Sequence, residues 1–487
     1  LYILISYHFS YDYPLNADDI VICISDVMSI VDEGNSYFDY LLMTKNNNPT
    51  IVLRLINLLN YLITGKINFL VIPVVANICV AIFSFYLSRK YVSLPFSFLI
   101  PLLLLVPTAQ YMYWSSAAAS YTFTVMFLYS CMVQINNVKN FGSFPLLVLT
   151  MFLLTYSFAN GFVGCCFIIL YALYLMFFSD LQKKYGVLII VIALTYITLF
   201  MTYTEKSDIG VDFTEKKLQF ILPFCGNLFR YIFENWFFAG SVAFLIIGYL
   251  SVLFYKNFRN TSTTILFFMV GFVCATSLIV SLSRCQSVVL CNPFFVRYEI
   301  FGVAFCLFAF LAILKLGNKK FIYPFVVMIM LSLVIKAGEN FDLLQKGKYN
   351  LVMFKTIGAF DDNYRIKVFN KAWLEISKIA YLKALNEDYI DRVKPQNSIK
   401  NKIKDSSIIS FNDNTLKLYK RVLKKDDFML LRGELFDEKS KNVFVKIDGD
   451  YYELEVFVNP TINKRNNFDF YTILPVMDSE EYQIVTN

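Results

Sequence analysis

The chain has 487 residues, of which 57% are hydrophobic and 17% charged, and its mean hydropathy is +0.54. A soluble protein of this size carries about 25% charged residues, so a single water-soluble globule is excluded. The formal net charge of +7 calls for no nucleic acid: no Lys/Arg-rich tract has interleaved aromatics, and basic residues in a membrane protein set topology and meet anionic lipid headgroups.

The charges divide the chain. Residues 67–336 hold them sparsely, mostly between the apolar runs, and residues 337–487 hold many. We read 1–336 as a transmembrane domain whose first extracytoplasmic loop is 10–66, 337–405 as a helical linker region, and 406–487 as a β-rich extracytoplasmic domain. Leu1 to Phe9 is apolar but too short to cross a bilayer, which takes about 20 residues. The numbered chain is therefore expected to begin inside a first, truncated transmembrane helix.

Acids follow at once: Asp18 and Asp19, then Asp32 and Glu33 before the turn-like Gly34-Asn35-Ser36. A carboxylate in a loop at the membrane surface could act as general base on an acceptor hydroxyl or bind a divalent metal that shields a leaving phosphate. It could equally solvate the loop or cap a helix. Asp32 and Glu33 are candidates for a second acid that orients an acceptor, or for an exposed turn. Residues 51–64 place Arg54, Asn57 and Asn60 at helical spacing, the pattern of an amphipathic helix lying at the interface. Arg54 has the fork of donors that pairs with phosphate; the alternative is that it snorkels to lipid headgroups.

Apolar runs then predict helices near 67–87, 94–108, 117–135, 143–157, 161–178, 187–204, 237–255, 262–282, 299–316 and 321–336, with 94–108 tilted or re-entrant. With the N-terminal stub this makes about eleven. Every second loop is short and basic: Arg89 and Lys90; Lys139; Lys183 and Lys184; Lys256 and Arg259; Lys315, Lys319 and Lys320. The positive-inside rule places these in the cytoplasm. Segments 10–66, 109–116, 158–160, 205–236 and 283–298 and the tail from 337 then face outward. The outward turns contain aromatic residues, with Tyr113 and Trp114 suited either to stack on a saccharide or to join an interfacial belt. Arg297, beside Tyr298 and Glu299, could hold a phosphate oxygen or pair internally with Glu299 or a first-loop acid.

Most of the ten cysteines lie in apolar helices, where Cys acts as a small hydrophobe. Cys285 and Cys291 share one predicted external loop and could form a disulfide. The single histidine, His8, leaves no His-based triad or His-ligated zinc site. In the tail, 366–390 has helical periodicity, after which the period changes to two. Segments 407–411, 415–422, 428–436, 442–448, 451–458, 468–475 and 481–486 read as strands, with Asp448-Gly449 as a hairpin turn. The fold class expected is a polytopic α-helical membrane protein with a C-terminal extracytoplasmic α+β domain containing an antiparallel β-sandwich.

Taken together, Asp18-Asp19, the stretch from Asn47 to Ile56 with Arg54, Trp114, Ser157-Phe158-Ala159-Asn160-Gly161 and Arg297-Tyr298 resemble the GT-C class of integral membrane glycosyltransferases. Within that class the chain resembles the bacterial and phage-encoded, serotype-converting glucosyltransferases that decorate O-antigen of lipopolysaccharide. The likeness spans most of 10–310. Many relatives carry Glu-His where Asn47-Asn48 stands here, so no charged role is carried over to that place. The resemblance implies transfer of a hexose from a polyprenyl-phosphate-linked donor to a glycan acceptor at the outer face of the cytoplasmic (inner) membrane, with inversion. Asp18 or Asp19 would be the base, and Arg54 and Arg297 would steady phosphate charge. A divalent metal is left open, since some members use one and others do not. The rival readings are a transporter or flippase of lipid-linked saccharide, which should show charged or broken helices at mid-membrane and repeats, a polysaccharide polymerase, and a non-catalytic membrane protein whose tail binds glycans or partners.

Overall fold

The computed structural model describes residues 27, 30, 36–42, 44–45, 48–92, 96–105, 115–138, 140–179, 181–203, 215–233, 235–285, 292–294 and 298–360, and in the tail 409–410, 416–425, 428–435, 443–447, 450–458, 468–475 and 483–486. Contacts divide the chain between Asn340 and Phe341 into a helical unit and a second unit.

In chain order, α1 (Tyr37–Leu42) leads through a two-stranded ladder, β1 (Thr44–Lys45) with β2 (Asn48–Pro49), to α2 (Ile51–Thr64). The bundle then runs α3 (Val71–Tyr91), α4 (Leu99–Leu105), α5 (Ser115–Asn136), α6 (Phe144–Ser157), α7 (Gly161–Phe178), α8 (Lys183–Tyr203), α9 (Glu215–Cys225), α10 (Arg230–Phe233), α11 (Trp236–Asn257), α12 (Thr261–Arg284), α13 (Glu299–Leu316) and α14 (Lys319–Phe360). Among the described residues, seven helices are long and apolar enough to cross a membrane, at 18 to 22 residues each. That length matches the hydrocarbon thickness at 1.5 Å per residue. The protein is a helical membrane protein. The expected 94–108 helix is represented by a short 3-10 turn and α4, ten residues in all.

Two differences from the sequence reading have physical causes. Part of the segment 205–236, expected as an outward loop, is helical: α9, a 3-10 turn (Asn227–Phe229) and α10. Glu215, Lys216, Lys217 and Pro223 break its apolar run, yet Phe220, Phe224, Cys225, Leu228 and Phe229 are fully buried. The element is amphipathic and packs inward on α11, α12 and α13. Second, the last helix does not stop near 336 but continues to Phe360. The apolar run ends there, but Lys, Ala, Glu, Leu and Gln are good helix formers, so hydropathy and helix propensity part company. The helical segment expected at 366–390 lies outside the described residues.

Helix α13 is the centre of the bundle. Every residue from Glu299 to Ile313 is buried, and the helix contacts α12, α11, α9, α5 and α4. It is apolar all round after Glu299, the pattern of a helix enclosed by others. Close approach depends on small residues. A Cβ on Gly302 would lie 2.8 Å from Cβ of Asn227, so the 3-10 turn sits directly against the α13 backbone. A Cβ on Gly226 would run into the backbone oxygen of Ala239 in α11. Asn227 Nδ2 donates to the Pro293 carbonyl at 3.1 Å, and Asn235 caps α11 by accepting from the Phe237 amide at 2.7 Å.

The ends of the bundle differ in chemistry. The expected cytoplasmic end has basic residues over aromatic rings: Lys90 Nζ lies 5.3 to 5.5 Å from the ring centroids of Tyr86, Tyr91 and Tyr129, and Lys184 Nζ 4.8 Å from that of Tyr185. Cations with aromatic partners are typical of a membrane boundary. The other end holds the buried polar groups described below.

In the second unit, β3 (Ile409–Ser410), β4 (Leu416–Lys425), β5 (Phe428–Leu435), β6 (Val443–Ile447), β7 (Asp450–Val458), β8 (Phe468–Pro475) and β9 (Gln483–Thr486) pair antiparallel in the order β3-β9-β6-β7-β8-β5-β4. Ile447 pairs with Asp450, leaving two residues between the strands. Residues 450–454 of β7 pair with β6, and 455–458 pair with β8. The β4–β5 register shifts between Tyr419 and Leu423.

Replacing Gly226 with Ala is expected to lower stability by about 1–3 kcal/mol, because neither backbone can yield cheaply. Thermal unfolding of the detergent-solubilised protein, followed by helical circular dichroism, measures this against a Gly248→Ala control, where the added Cβ meets nothing within 4 Å.

Candidate functional site

The first polar centre is on α2. Gly65, at φ 71°, ends the helix in the left-handed region that glycine adopts without strain, its amide donating to the Tyr61 carbonyl at 2.7 Å. The helix is amphipathic as expected, but its polar face points into the protein. Arg54 is 0% exposed, and Thr50, Asn57 and Asn60 are buried; Leu55, Leu59, Leu62 and Ile63 (82%) face outward. That outward stripe, at i, i+4, i+7 and i+8, suits lipid. Arg54 therefore does not snorkel to headgroups. Burying a guanidinium costs several kcal/mol unless it is paired and hydrogen-bonded, and Arg54 is not without a partner inside the protein. Tyr40 in α1, itself fully buried, donates its hydroxyl to the Arg54 carbonyl at 3.3 Å. Helix α2 packs on α1, α3, α5 and α6, at the bundle end opposite the basic loops.

The second polar centre lies at the same end, where α13 begins. Lys336 Nζ is 2.8 Å from Glu299 Oε1, and both side chains are almost wholly buried. Tyr231 of α10 donates its hydroxyl to the same oxygen at 2.8 Å. Arg230 Nη2 donates to the Tyr231 hydroxyl at 3.0 Å, and its Nη1 donates to the Phe294 carbonyl. Burial pushes the Tyr231 phenol well above its ordinary range, Glu299 adds to the rise, and Arg230 opposes it. The phenol is thus protonated at neutral pH and serves as a donor. Glu299 takes Lys336 as its ion-pair partner, whereas the sequence had offered Glu299 only as an internal partner for Arg297. Lys336 was legible only as a charge closing an apolar run; nothing in the sequence pointed to its partner 37 positions earlier in a different helix.

Of the residues singled out by sequence, Arg54 is placed and buried. Asp18, Asp19, Asp32, Glu33, Tyr113, Trp114 and Arg297 lie outside the described residues, as do His8 and Cys291. Asn160, in the turn between α6 and α7, is 5% exposed, and its carbonyl accepts from the Gly164 amide at 3.1 Å. Cys285, just after α12, is disulfide-bonded, while Cys79, Cys131, Cys165, Cys166, Cys225, Cys274 and Cys306 are free.

Compared with known proteins, the chain matches no family model, no curated protein and no solved structure.

Replacing Glu299 with Gln, or Lys336 with Met, is expected to destabilise the bundle by about 3–5 kcal/mol, since each leaves a charge buried without its counter-ion. Glu299→Gln combined with Lys336→Met should recover most of that loss. Unfolding of purified protein in mixed micelles gives the three values as a double-mutant cycle.

Proposed function

We propose that the protein is an integral membrane glycosyltransferase of the GT-C type, moving a hexose, glucose by resemblance, from a polyprenyl-phosphate donor to O-antigen or another surface glycan. The observation that carries this reading is the complete burial of Arg54 on a helix whose apolar face is turned outward. A guanidinium held inside protein, at the lipid-boundary end of a helical bundle, is chemistry suited to a phosphate on a membrane-embedded carrier.

In this reaction the acceptor hydroxyl oxygen attacks the anomeric carbon from the face opposite the phosphate. The new C–O bond forms as the bond to the phosphate oxygen breaks, so the centre inverts. Asp18 or Asp19 takes the hydroxyl proton, and polyprenyl phosphate leaves with the bonding electron pair. Arg54 and Arg297 stabilise the charge growing on that phosphate. Asp32 or Glu33 orients the acceptor, and Tyr113 and Trp114 stack on the saccharide.

The reading places the first loop and the β-rich tail outside the cytoplasm, in the bacterial inner membrane. Two independent features support this orientation: the alternating basic loops, and the disulfide at Cys285, since disulfides persist in oxidising compartments. The change of partner along β7 supports a two-layer sandwich in the tail, because strands that pass between sheets do so at such bends.

The buried Glu299–Lys336 pair bears on the transporter alternative, since intramembrane charges mark transport paths. Glu299 is the first residue of its span and Lys336 lies in the last turn or so of the span ending at Asn340. Transport sites sit near the midplane, at discontinuous helices, so the position of this pair favours a boundary site.

Membranes containing the protein, supplied with polyprenyl-phosphate glucose and the cell's glycan, should transfer sugar. Asp18→Asn or Asp19→Asn at normal abundance should cut that rate by about 10²–10⁴-fold, the contribution of a general base. Full transfer by both variants would remove the catalytic assignment. An unchanged surface glycan in cells lacking the gene would favour the transporter or scaffold readings. Arg54→Lys keeps a charge but loses the bidentate fork and is expected to slow transfer more than tenfold, roughly the 1.4 kcal/mol equivalent of one charge-assisted hydrogen bond.

A further inference from the structure

Beside the Glu299–Lys336 pair, a cavity of about 310 Å³ is lined by Arg230, Tyr231, Trp236, Asn292, Phe294 and Glu339. Its volume is at the lower limit of small-molecule sites, large enough for one sugar ring and too small for a lipid chain or a folded partner. Trp236 and Phe294 meet edge to face, with ring centroids 6.1 Å apart and planes at 72°. Trp236 is partly exposed. The Arg230 guanidinium lies 4.7 Å from the Tyr231 ring centroid and 5.7 Å from that of Phe294. Asn292 accepts from the Phe294 amide through Oδ1 at 2.9 Å, fixing its amide plane.

The charges argue for a neutral ligand. Arg230 brings one positive charge, already shared with the Phe294 carbonyl and the Tyr231 hydroxyl. Glu339 brings one negative charge to the same lining. A phosphate or carboxylate would meet that glutamate, and a cation would meet the arginine. A neutral pyranose has neither conflict. Its C–H face suits the electron-rich face of an indole, and its edge hydroxyls both donate and accept, matching an amide, a carboxylate and a guanidinium.

We propose that this cavity binds one neutral pyranose unit of the glycan acceptor. In its wall the Tyr231 hydroxyl donates to Glu299 and accepts from Arg230. That the pyranose belongs to an acceptor rests on the glycosyltransferase reading; that the cavity takes a pyranose does not.

The test is saturation-transfer NMR on the full chain in nanodiscs, with methyl glucoside, methyl galactoside and methyl rhamnoside as probes and methyl glucuronide as the charged comparison. Ring-proton signals are expected from at least one neutral probe, and a weaker response from the glucuronide. Trp236→Ala should weaken binding about tenfold, on the scale of one aromatic contact plus its buried area. Trp236→Phe should retain part of it. Asn292→Ala, at an exposed position, tests the polar edge in a variant that is expected to fold. Binding by none of the neutral probes, preference for the glucuronide, or equal binding by wild type, Trp236→Ala and Asn292→Ala would overturn the assignment. Pyranoside binding without sugar transfer would sustain the pocket and remove the transferase reading; transfer without pyranoside binding would do the reverse.

Discussion

In a hydrocarbon solvent an apolar helix gains no hydrophobic free energy by leaving the lipid for the company of other apolar helices. The Glu299–Lys336 ion pair supplies what the hydrophobic effect does not. Neither charge can face lipid without a cost of several kcal/mol, and each solves the problem of the other at 2.8 Å. Pairing them fixes the start of α13 against α14. Tyr231 adds α10 to the same oxygen, and the turn at Asn227 closes on Gly302 one helical turn further along α13. A helix that would be at home anywhere in the bilayer is thereby held at the centre of the bundle, and the elements of the polar end are registered around it.

The same constraint explains why α2 is turned with its polar face inward. A surface helix of a soluble protein hides its apolar stripe; here the solvent is lipid on one side, so Leu59 and Ile63 face out while Arg54, Asn57 and Asn60 face in. Two buried polar centres thus share one end of the bundle, and the basic-aromatic boundary occupies the other. Such segregation would suit the carrier-linked, phosphate-bearing substrate proposed above: the carrier would remain in lipid, while its polar head would meet charges that water and lipid do not screen. The cavity beside Tyr231 adds a polar-walled recess with an aromatic side, a second kind of chemistry at the same end.

How much of this was legible in the sequence differs by element, for physical reasons. The ten expected helices each overlap a described helix, and among the described residues seven are long and apolar enough to span, because lipid demands an apolar run whose interruptions are visible; the stretches at 96–105 and 141–157 are shorter than a span. Helix α2 is found with the bounds read from Arg54, Asn57 and Asn60, since a 3.6-residue period survives whichever face is buried. The direction of that face was not legible, because periodicity says which residues share a side and not what covers it. The α9–α10 element was missed because Lys216, Lys217 and Pro223 look like loop chemistry, and its burial is a tertiary fact. The continuation of α14 was missed because hydropathy marks the end of the membrane-length stretch and not the end of the helix. The Glu299–Lys336 contact, and the recess formed by residues as distant as Arg230 and Glu339, could not be read from any local pattern. The first-loop acids are visible in the sequence only as a gathering of charge, which a catalytic base and a solvated turn would share.

Everything functional in this account requires the polar end of the bundle to lie outside the cytoplasm. In a variant whose free cysteines are replaced, Asn292→Cys and Asn318→Cys place single exposed thiols at opposite ends of α13. Labelling intact cells with a membrane-impermeant maleimide should modify the thiol at 292 and spare the one at 318 until the membrane is permeabilised. Labelling of 318 but not 292 in intact cells would turn the protein over in the membrane and contradict the account.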